Sequence, residues 1–347
     1  MKTEEKILYF RAKQAESYDF KVRYAELRAW EFYKHPEIGG ACYVAVGGLD
    51  SITLLLFLRS IGINVPAVSV SVLEDKSIQV IHKQLGVEPL KPLKSKVEVI
   101  REFGWPVLSK EIADKIDNLQ HPTPKNAPYR HSIMTGEKSD GTCSERAALS
   151  KKWIKLFGGY EYELFGKPDF LVSDKCCYYM KEKPQSNYAK ETGRHPYLGL
   201  MASEHGRREK GLIARGCNYI SPGTKRSCPF AIFNRQDLLQ LALDLHVPVP
   251  EIYGEIVRDQ DGTLRTTKAQ RTGCSMCGFG IHMEKRPHRF DQLWARSPGE
   301  WEMWMNRVDK LPDGSLYGWG HVLDYIGVEW REPWRQFERQ ESLFERM

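Results

Sequence analysis

The sequence predicts an α/β protein with a parallel sheet that carries helices on both faces. Short β-branched runs alternate with helical stretches in the first part of the chain, which favours right-handed crossovers between parallel strands. The run Cys42–Val46 is apolar without a polar break, as is typical of a strand buried on both faces. Gly47 and Gly48 end this run shortly before the apolar stretch Ile52–Leu58, which is long enough for a helix. Ligands of such sheets bind beyond the carboxyl ends of the strands, where we expect this glycine turn.

The composition is that of an ordinary globular protein. The chain has 347 residues, of which 41% are hydrophobic and 28% charged, and 51 Lys and Arg against 45 Asp and Glu give a formal charge of +6. This mild excess permits an anionic partner such as nucleic acid without requiring one. No apolar run reaches membrane-spanning length, and the start Met1-Lys-Thr-Glu-Glu-Lys lacks an apolar signal-peptide core. We therefore expect a cytoplasmic protein with no membrane partner.

The remaining elements follow from spacing and end signals. Apolar residues three and four positions apart predict a helix over residues 1–34, which His35-Pro36 ends. Further strands are predicted over 66–73, 87–93 and 170–173, and further helices over 75–85, 95–103, 109–119, 145–157 and 235–245. Asn234 is the expected N-cap of the last helix. The composition of residues 120–144 predicts a long irregular loop, which is either mobile or functional, for example as a lid. The tail, 288–347, predicts Trp-rich helices around a small core, with base stacking as the alternative.

The stretch Val46-Gly47-Gly48-Leu49-Asp50-Ser51 has the composition of a phosphate-binding turn. Glycines let backbone N–H groups approach an anion, and the N-terminus of the following helix favours negative charge. The stretch resembles the Ser-Gly-Gly-x-Asp-Ser loop of the ATP-pyrophosphatase superfamily, which includes adenylating synthetases, tRNA-thiolating enzymes and phosphoadenosine phosphosulfate (PAPS) reductases. Val46 stands in place of the leading Ser. A tight turn without a ligand is the alternative interpretation.

Cys176-Cys177 and Cys274-x-x-Cys277 form the second chemical pattern. Eight Cys in a cytoplasmic chain are more often metal ligands, catalytic groups or core residues than disulfides. Four thiolates from two distant stretches can close around one metal centre. Adjacent cysteines suit the separated metal corners of an iron–sulfur cluster better than they suit tetrahedral zinc. The spacing therefore predicts a four-iron, four-sulfur cluster, with four unrelated structural cysteines as the alternative.

The cysteine pattern resembles that of the iron–sulfur class of adenylyl-sulfate and PAPS reductases. The similarity runs from residue 42 to residue 327, and Arg271–His282 is most similar to the PAPS-reductase-like proteins of phages and mobile elements. The resemblance implies an adenine nucleotide alpha hydrolase-like fold. We expect an N-terminal helical segment over 1–37, the nucleotide-binding α/β domain over 38–260, and the Cys-x-x-Cys segment with a helical tail over 261–347. The second half of the chain then carries the cluster.

The resemblance also implies a set of site residues. Those expected to bind the adenine nucleotide, ATP or PAPS, are Val46, Gly47, Gly48, Leu49, Asp50, Ser51, Gly199, Glu204, Arg208 and Arg271. Those expected to take part in catalysis are Asp50, Ser51, Lys181 and Arg208, with Mg²⁺ neutralising the phosphates. The implied cluster ligands are Cys176, Cys177, Cys274 and Cys277.

Further departures from the family pattern leave the activity open. Reductases carry a nucleophilic Cys near the C-terminus, whereas no Cys follows Cys277, and Met201 stands where reductases have Arg. We therefore expect an ATP-dependent adenylating enzyme that releases diphosphate and transfers sulfur, with nucleic acid as one candidate acceptor. Its protein partner would be a sulfur donor, a cysteine desulfurase or thioredoxin. The alternatives are a sulfonucleotide reductase and a regulator or defence component that has lost the chemistry.

Overall fold

The computed structural model of the protein describes residues 3–204 and 206–331. The helices are α1 Thr3–Gln14, α2 Tyr18–Lys34, α3 Leu49–Ser60, α4 Lys76–Gln84, α5 Lys96–Phe103, α6 Lys110–Gln120, α7 Ala127–Thr135, α8 Lys151–Phe157, α9 Lys175–Cys177, α10 Lys183–Thr192, α11 Gly206–Arg215, α12 Arg235–Asp244, α13 Arg289–Arg296, α14 Pro298–Asn306 and α15 Trp319–Ile326. The strands are β1 Cys42–Ala45, β2 Ala67–Ser69, β3 Glu88–Pro89, β4 Val107–Leu108, β5 His195–Leu198, β6 Asn218–Ser221, β7 Thr224–Ser227, β8 Ile256–Arg258, β9 Leu264–Thr266, β10 Gly278–Phe279, β11 Asp309–Lys310 and β12 Leu316–Tyr317. A π-helical turn, Tyr178–Glu182, follows α9.

The chain divides into two compact units, each built from two separate stretches of sequence. The first unit combines Met1–Pro92 with Lys181–Ser275, and the second combines Leu93–Met180 with Met276–Met347. The ranges 1–37, 38–260 and 261–347 suggested by the sequence are consecutive, and they stay a prediction.

A six-stranded sheet in the order β3-β2-β1-β5-β7-β6 forms the centre of the first unit. Every neighbouring pair is parallel except the hairpin β6–β7. The predicted α/β class with a mostly parallel sheet is confirmed. A separate antiparallel hairpin, β8–β9, lies in the same unit.

Helices cover the sheet of the first unit through an apolar core. The core includes Phe32 of α2, Leu54 of α3 and Leu238 of α12 together with Val44 of β1, all of them fully buried. Burying one such side chain stabilises the fold by about 1.5–3 kcal/mol. Asn234 caps α12 as predicted, because its side chain accepts the Asp237 N–H at 3.0 Å.

The second unit has a core of its own, which contains several buried tryptophans. β4 pairs with β10 in parallel, and β11 pairs with β12 as a hairpin. Trp105 and Trp319 are no more than 1% exposed, and their rings meet edge to face at 4.7 Å. The small-core interpretation of the tail is therefore confirmed for Trp301, Trp304 and Trp319, all buried. Trp334 and the rest of 332–347 lie outside the described residues.

Several predicted boundaries are wrong, each for a local reason. Residues 1–34 form two helices, because the Ser17 side chain caps a new helix at Tyr18. The strand predicted over 66–73 stops at Ser69 and turns into a 3-10 helix. Residues 120–144 contain α7, which carries a Pro in its first turn and ends at Gly136 in the left-handed region, φ 83°. The helix predicted over 145–157 begins only at Lys151, and the strand over 170–173 is a single bridge from Val172.

The described residues contain no candidate for a membrane-spanning segment. None of their helices is both long and apolar enough to cross a bilayer.

Candidate functional site

The Gly47–Gly48 turn lies where the strand order of the first unit reverses. β1 has β2 on one side and β5 on the other. The chain continues from β1 to β2 and β3 in one direction and reaches β5 and β7 in the other. Such a switch point leaves a crevice at the carboxyl ends of the strands, where α/β proteins bind their ligands. The predicted loop position is therefore the position at which this sheet offers a site.

Hydroxyl groups satisfy two of the backbone donors of the loop. Gly47 N–H donates to Ser51 Oγ at 2.7 Å, and Ser51 Oγ in turn donates to Gly48 O at 3.0 Å. Leu49 N–H donates to the Tyr253 hydroxyl at 3.1 Å. Neither Gly48 N–H nor Asp50 N–H donates to any residue that the structure describes. These two donors lie at the start of the twelve-residue helix α3, a position that favours negative charge.

Val46 is placed differently from its neighbours in the loop. Its side chain is 4% exposed and packs in the core of the first unit, and its N–H donates to Val68 O at 2.9 Å. Met201, at the position of a reductase Arg, is likewise only 1% exposed. Neither side chain presents a polar atom to a ligand.

Two glycines of the predicted site, Gly48 and Gly199, let neighbouring groups come closer to the backbone than a side chain would permit. A Cβ on Gly48 would lie 2.3 Å from the Tyr253 hydroxyl oxygen and 3.0 Å from Thr272 Oγ1. A Cβ on Gly199, just after β5, would lie 3.0 Å from Asp50 O and 3.1 Å from Ser51 Cα. Gly199 thus brings the end of β5 against the start of α3, and the structure brings these predicted residues together.

A buried histidine lies beneath the loop. His82 of α4 is 1% exposed, its Nε2 lies 2.8 Å from Gly47 O, and its Nδ1 lies 2.9 Å from Ser71 Oγ. Burial lowers the pKa of His82 below its ordinary value, which keeps the ring neutral near pH 7.

Lys181 forms an ion pair with a buried carboxylate next to the loop. Its Nζ lies 2.7 Å from Glu74 Oε1, and the Glu74 side chain is 4% exposed. The same Oε1 lies 3.5 Å from the position of a Cβ on Gly47. Burial lowers the pKa of the Lys181 ammonium, but the hydrogen-bonded Cys274 sulfur and the Glu74 carboxylate raise it by more than burial lowers it, so the ammonium stays charged. The predicted catalytic lysine thus borders the loop, together with Cys274.

Asp50 forms an ion pair with an arginine that the sequence analysis did not single out. Arg235 Nη1 lies 2.8 Å from Asp50 Oδ1, and its Nη2 donates to Gln270 O at 2.9 Å. Burial raises the pKa of the Asp50 carboxyl, although the Arg235 guanidinium acts in the opposite direction. Asp50 is therefore committed to a neighbouring cation before any ligand binds.

Glu204 forms ion pairs with the two arginines that the family resemblance implied. Its side chain is 4% exposed and forms an ion pair with Arg208, and Arg271 Nη1 lies 3.6 Å from Glu204 Oε1. Arg208 and Arg271 themselves are about half exposed. All three act on the pKa of the Asp50 carboxyl, which Glu204 raises and the two arginines lower. One buried carboxylate thus positions two exposed guanidinium groups, an arrangement that can clamp an anion.

The four predicted cluster cysteines are distributed over both units. Cys274 belongs to the first unit, whereas Cys176, Cys177 and Cys277 belong to the second. Cys176 is buried and the other three are partly buried, and none forms a disulfide. Within residues 3–204 and 206–331, no three His, Cys, Asp or Glu side chains are arranged to hold a single metal ion.

Sequence reasoning missed the residues that surround the loop from distant parts of the chain. These are Glu74, His82, Arg235, Tyr253 and Thr272. Thr272 lies within the stretch Arg271-Thr-Gly-Cys274 that the resemblance had singled out, and its Oγ1 is 2.6 Å from the Tyr253 hydroxyl. The other four carry no spacing or motif signal, because only the tertiary fold brings them to Gly47 and Gly48.

Comparisons with known proteins give a weak likeness in structure. No protein-family model matches the sequence, and no curated protein is similar to it. Among solved structures, the chain is similar to a phosphoadenylyl-sulfate (PAPS) reductase from Candida auris in complex with phosphate, with a TM-score of 0.36 and 11% identity. The match covers 76% of this chain and 98% of that one. At this level of similarity, no residue role transfers from one protein to the other.

Proposed function

We propose that this protein binds an adenine nucleotide at the Gly47–Ser51 loop and is an ATP-dependent adenylating enzyme of sulfur chemistry. The observation that carries the proposal is the pair of unengaged donors, Gly48 N–H and Asp50 N–H, at the N-terminus of α3 and at the switch point of the sheet. A diphosphate group there accepts from both donors and gains from the helix dipole. The resemblance of the loop to that of the ATP-pyrophosphatase superfamily supports ATP as the ligand.

The charges around the loop favour a metal-bound polyphosphate over a bare one. Four cations and three carboxylates lie in this region: Lys181, Arg208, Arg235 and Arg271, and Asp50, Glu74 and Glu204. Because each carboxylate already neutralises a cation, little net positive charge is left for a triphosphate. Mg²⁺ would supply the missing charge, because carboxylate and phosphate oxygens are the ligands that it prefers.

The reaction that we propose has two displacement steps. An acceptor oxygen attacks the α-phosphorus of ATP, and the bond to the bridging oxygen breaks, so that diphosphate leaves with the electron pair. A sulfur nucleophile from a donor protein then displaces AMP from the acceptor. Lys181 and Arg208 stabilise the developing negative charge, and the Ser51 hydroxyl turns from Gly48 O to the departing diphosphate. Nucleic acid is the acceptor class that the related thiolating proteins suggest.

We further propose that Cys176, Cys177, Cys274 and Cys277 ligate one four-iron, four-sulfur cluster. The proposal rests on their paired spacing in the sequence, because the separated metal corners of a cluster can accept ligands from neighbouring cysteines. A bound cluster adds folding free energy through ligation and a local centre of charge. Anaerobic purification followed by iron and labile-sulfide analysis tests this, and Cys177→Ala is expected to lose the cluster and to lower Tm. Protein that contains zinc and no labile sulfide would contradict the assignment.

Calorimetry with ATP and a diphosphate-release assay test the nucleotide proposal. Wild type is expected to bind ATP and release diphosphate when a sulfur acceptor is supplied. Arg208→Ala is expected to bind ATP about tenfold to a hundredfold more weakly, because one charge-assisted hydrogen bond contributes about 1.5–3 kcal/mol. Lys210→Ala, which removes an exposed cation from the same helix, is the matched control and is expected to bind normally. Equal binding by wild type and Arg208→Ala argues against the site.

A sulfonucleotide reductase is the second candidate, and the position of Cys274 favours it. Its thiol is hydrogen-bonded to Lys181, which pairs with Glu74 beside Gly47. This thiol could attack the sulfur of bound PAPS, so that an S–S bond forms, the S–O bond to the phosphate breaks and adenosine 3′,5′-bisphosphate leaves with the electron pair. The cluster proposal instead assigns the same thiol to iron. Thioredoxin-dependent release of sulfite from PAPS distinguishes this candidate from diphosphate release. Nucleotide binding with neither activity would identify a regulator.

A further inference from the structure

The peptide bond between Gly47 and Gly48 has one end held in the interior. Gly47 O accepts a hydrogen bond from His82, whose Nε2 lies 2.8 Å away and whose ring is 1% exposed. The other end of the same peptide is Gly48 N–H, which has no acceptor among the described residues. The two ends of this peptide therefore have very different surroundings.

The hydrogen-bond partners of His82 determine its tautomer. A carbonyl oxygen can only accept, so the proton of the neutral ring lies on Nε2. Nδ1 then accepts, and its partner at 2.9 Å is the Ser71 hydroxyl, which can donate. Ser71 thus holds the ring in the tautomer that binds Gly47 O.

The geometry of a trans peptide links this contact to the ligand side of the loop. The Gly47–Gly48 peptide is trans, so its C=O and N–H point in opposite directions. With the carbonyl fixed on His82, Gly48 N–H points away from the interior. Without that contact, the peptide could rotate easily, because both flanking residues are glycines with wide backbone freedom. The rotated peptide would present a carbonyl oxygen, which repels an anion, in place of a donor.

We propose that His82, oriented by Ser71, is a positioning residue that locks the Gly47–Gly48 peptide with its N–H aimed at the bound phosphate. The proposal rests on the proposed function, because it takes a phosphate group at this loop as the ligand. His82 itself touches no ligand and acts only through the backbone that it holds.

Two amide variants separate the contact with the loop from the contact with Ser71. In His82→Gln the side-chain amide nitrogen reaches about as far as Nε2 and keeps a donor for Gly47 O. In His82→Asn the amide reaches only as far as Nδ1, so it keeps a group near Ser71 and loses the lock. The probe is inorganic diphosphate with Mg²⁺, titrated by calorimetry into the full chain, with Tm measured in parallel.

His82→Asn is expected to raise the Kd for diphosphate about tenfold at an unchanged stoichiometry. This is the size of effect expected when one hydrogen bond to the phosphate is lost. His82→Gln is expected to stay within about threefold of wild type, and Ser71→Ala to fall between the two. If His82→Asn and His82→Gln bind diphosphate equally well, the inference is overturned, whatever their Tm. If wild type does not bind diphosphate at all, the proposed function fails instead.

A measurement on wild type keeps the inference testable even if the variants do not fold. Nitrogen-15 NMR of the histidine rings is expected to show His82 as the Nε2–H tautomer, and diphosphate is expected to shift the Gly48 amide more than the Gly47 amide. A predominant Nδ1–H tautomer, or a Gly48 amide that diphosphate leaves unshifted, overturns the inference.

Discussion

Position 48 requires a glycine, because the Tyr253 hydroxyl occupies the space that the methyl group of an alanine would need. The backbone at Gly48 has φ −77°, which any residue can adopt, so conformational freedom does not explain this glycine. Its explanation is steric, because a Cβ added at this position would lie 2.3 Å from the hydroxyl oxygen. The Tyr253 hydroxyl in turn satisfies Leu49 N–H, so the glycine and the tyrosine form one arrangement.

Gly48→Ala is expected to destabilise the protein by about 1–3 kcal/mol, the usual cost of overpacking. Denaturant unfolding measures this change in the free energy of unfolding. Gly47→Ala is the matched control, because its Cβ would meet Glu74 Oε1 at 3.5 Å, an ordinary contact distance. Gly48→Ala combined with Tyr253→Phe is expected to be less unstable than the sum of the two single changes. A purely additive double mutant would show that the hydroxyl is not what excludes the side chain.

The stability of the protein is expected to fall as pH drops below about 6.5, in part because of His82. Burial lowers the pKa of His82 in the folded state. The unfolded state therefore binds the proton more readily, and its free energy falls relative to that of the folded state as pH falls. Glu74, which raises this pKa, and Lys181, which lowers it, are the charged groups that act on the ring. His82→Gln is expected to flatten this part of the profile of unfolding free energy against pH. Because His195 and His282 also have lowered pKa values, the test is the difference between the two profiles. Parallel profiles would contradict the expectation.

At the residue scale, the sequence predicted the loop but not what holds it. Gly47, Gly48 and Ser51 form a local pattern whose chemistry is visible in six consecutive residues. His82 and Tyr253 reach the loop from α4 and from the turn before β8, and nothing in their own neighbourhoods marks them. The burial of Val46 was predicted from the apolar run Cys42–Val46, and its side chain is indeed only 4% exposed.

At the scale of elements, α2 and α12 are joined by a buried ion pair. Lys21 Nζ lies 2.9 Å from Asp237 Oδ2, and both side chains are less than a tenth exposed. Asp237 also accepts the Asn234 N–H at 2.7 Å, so one carboxylate completes the cap of α12 and fixes α2 beside it. Removing one partner of such a pair leaves the other charge buried alone.

Lys21→Met is therefore expected to lower the free energy of unfolding by about 3–5 kcal/mol. Asn234→Ala, which removes one half of the capping box, is expected to cost about 0.5–2 kcal/mol. Thermal and denaturant unfolding of the two variants give the comparison. Lys34→Met, in the last turn of α2, controls for the loss of a lysine as such. A Lys21→Met protein as stable as this control would mean that the buried pair contributes no net stability.

The elements with strong end signals were predicted almost to the residue, and those without them were not. Asn234 caps α12 as predicted, and Ser95 and Ser109, where two predicted helices begin, are the caps of α5 and α6. The prolines near α7 suggested a loop, although Pro128 lies in a first turn, where it costs the helix nothing. The composition of a segment does not show where in a helix each proline would lie, and only that position decides whether the proline is compatible with the helix.

For the whole molecule, the formal charge of +6 sets an expectation for nucleic acid. Binding is expected to be weak and to fall steeply with salt, because backbone phosphates would supply most of the contacts. Fluorescence anisotropy with a labelled oligonucleotide at increasing salt concentration measures the slope. An affinity that hardly changes with salt would indicate recognition of bases in place of phosphate contacts.

The strand order also has a consequence for the protein while it is being made on the ribosome. β1 and β2 leave the ribosome early, but β5, which covers the other edge of β1, is translated only after the first stretch of the second unit. Until then the nascent chain exposes a central, apolar strand with one row of unpaired backbone groups, the kind of edge that recruits other chains. At about 5–20 residues per second, this exposure lasts for about 8–30 seconds. Chaperone demand during synthesis, and the yield at low expression temperature, should therefore depend on the time between translation of β1 and translation of β5.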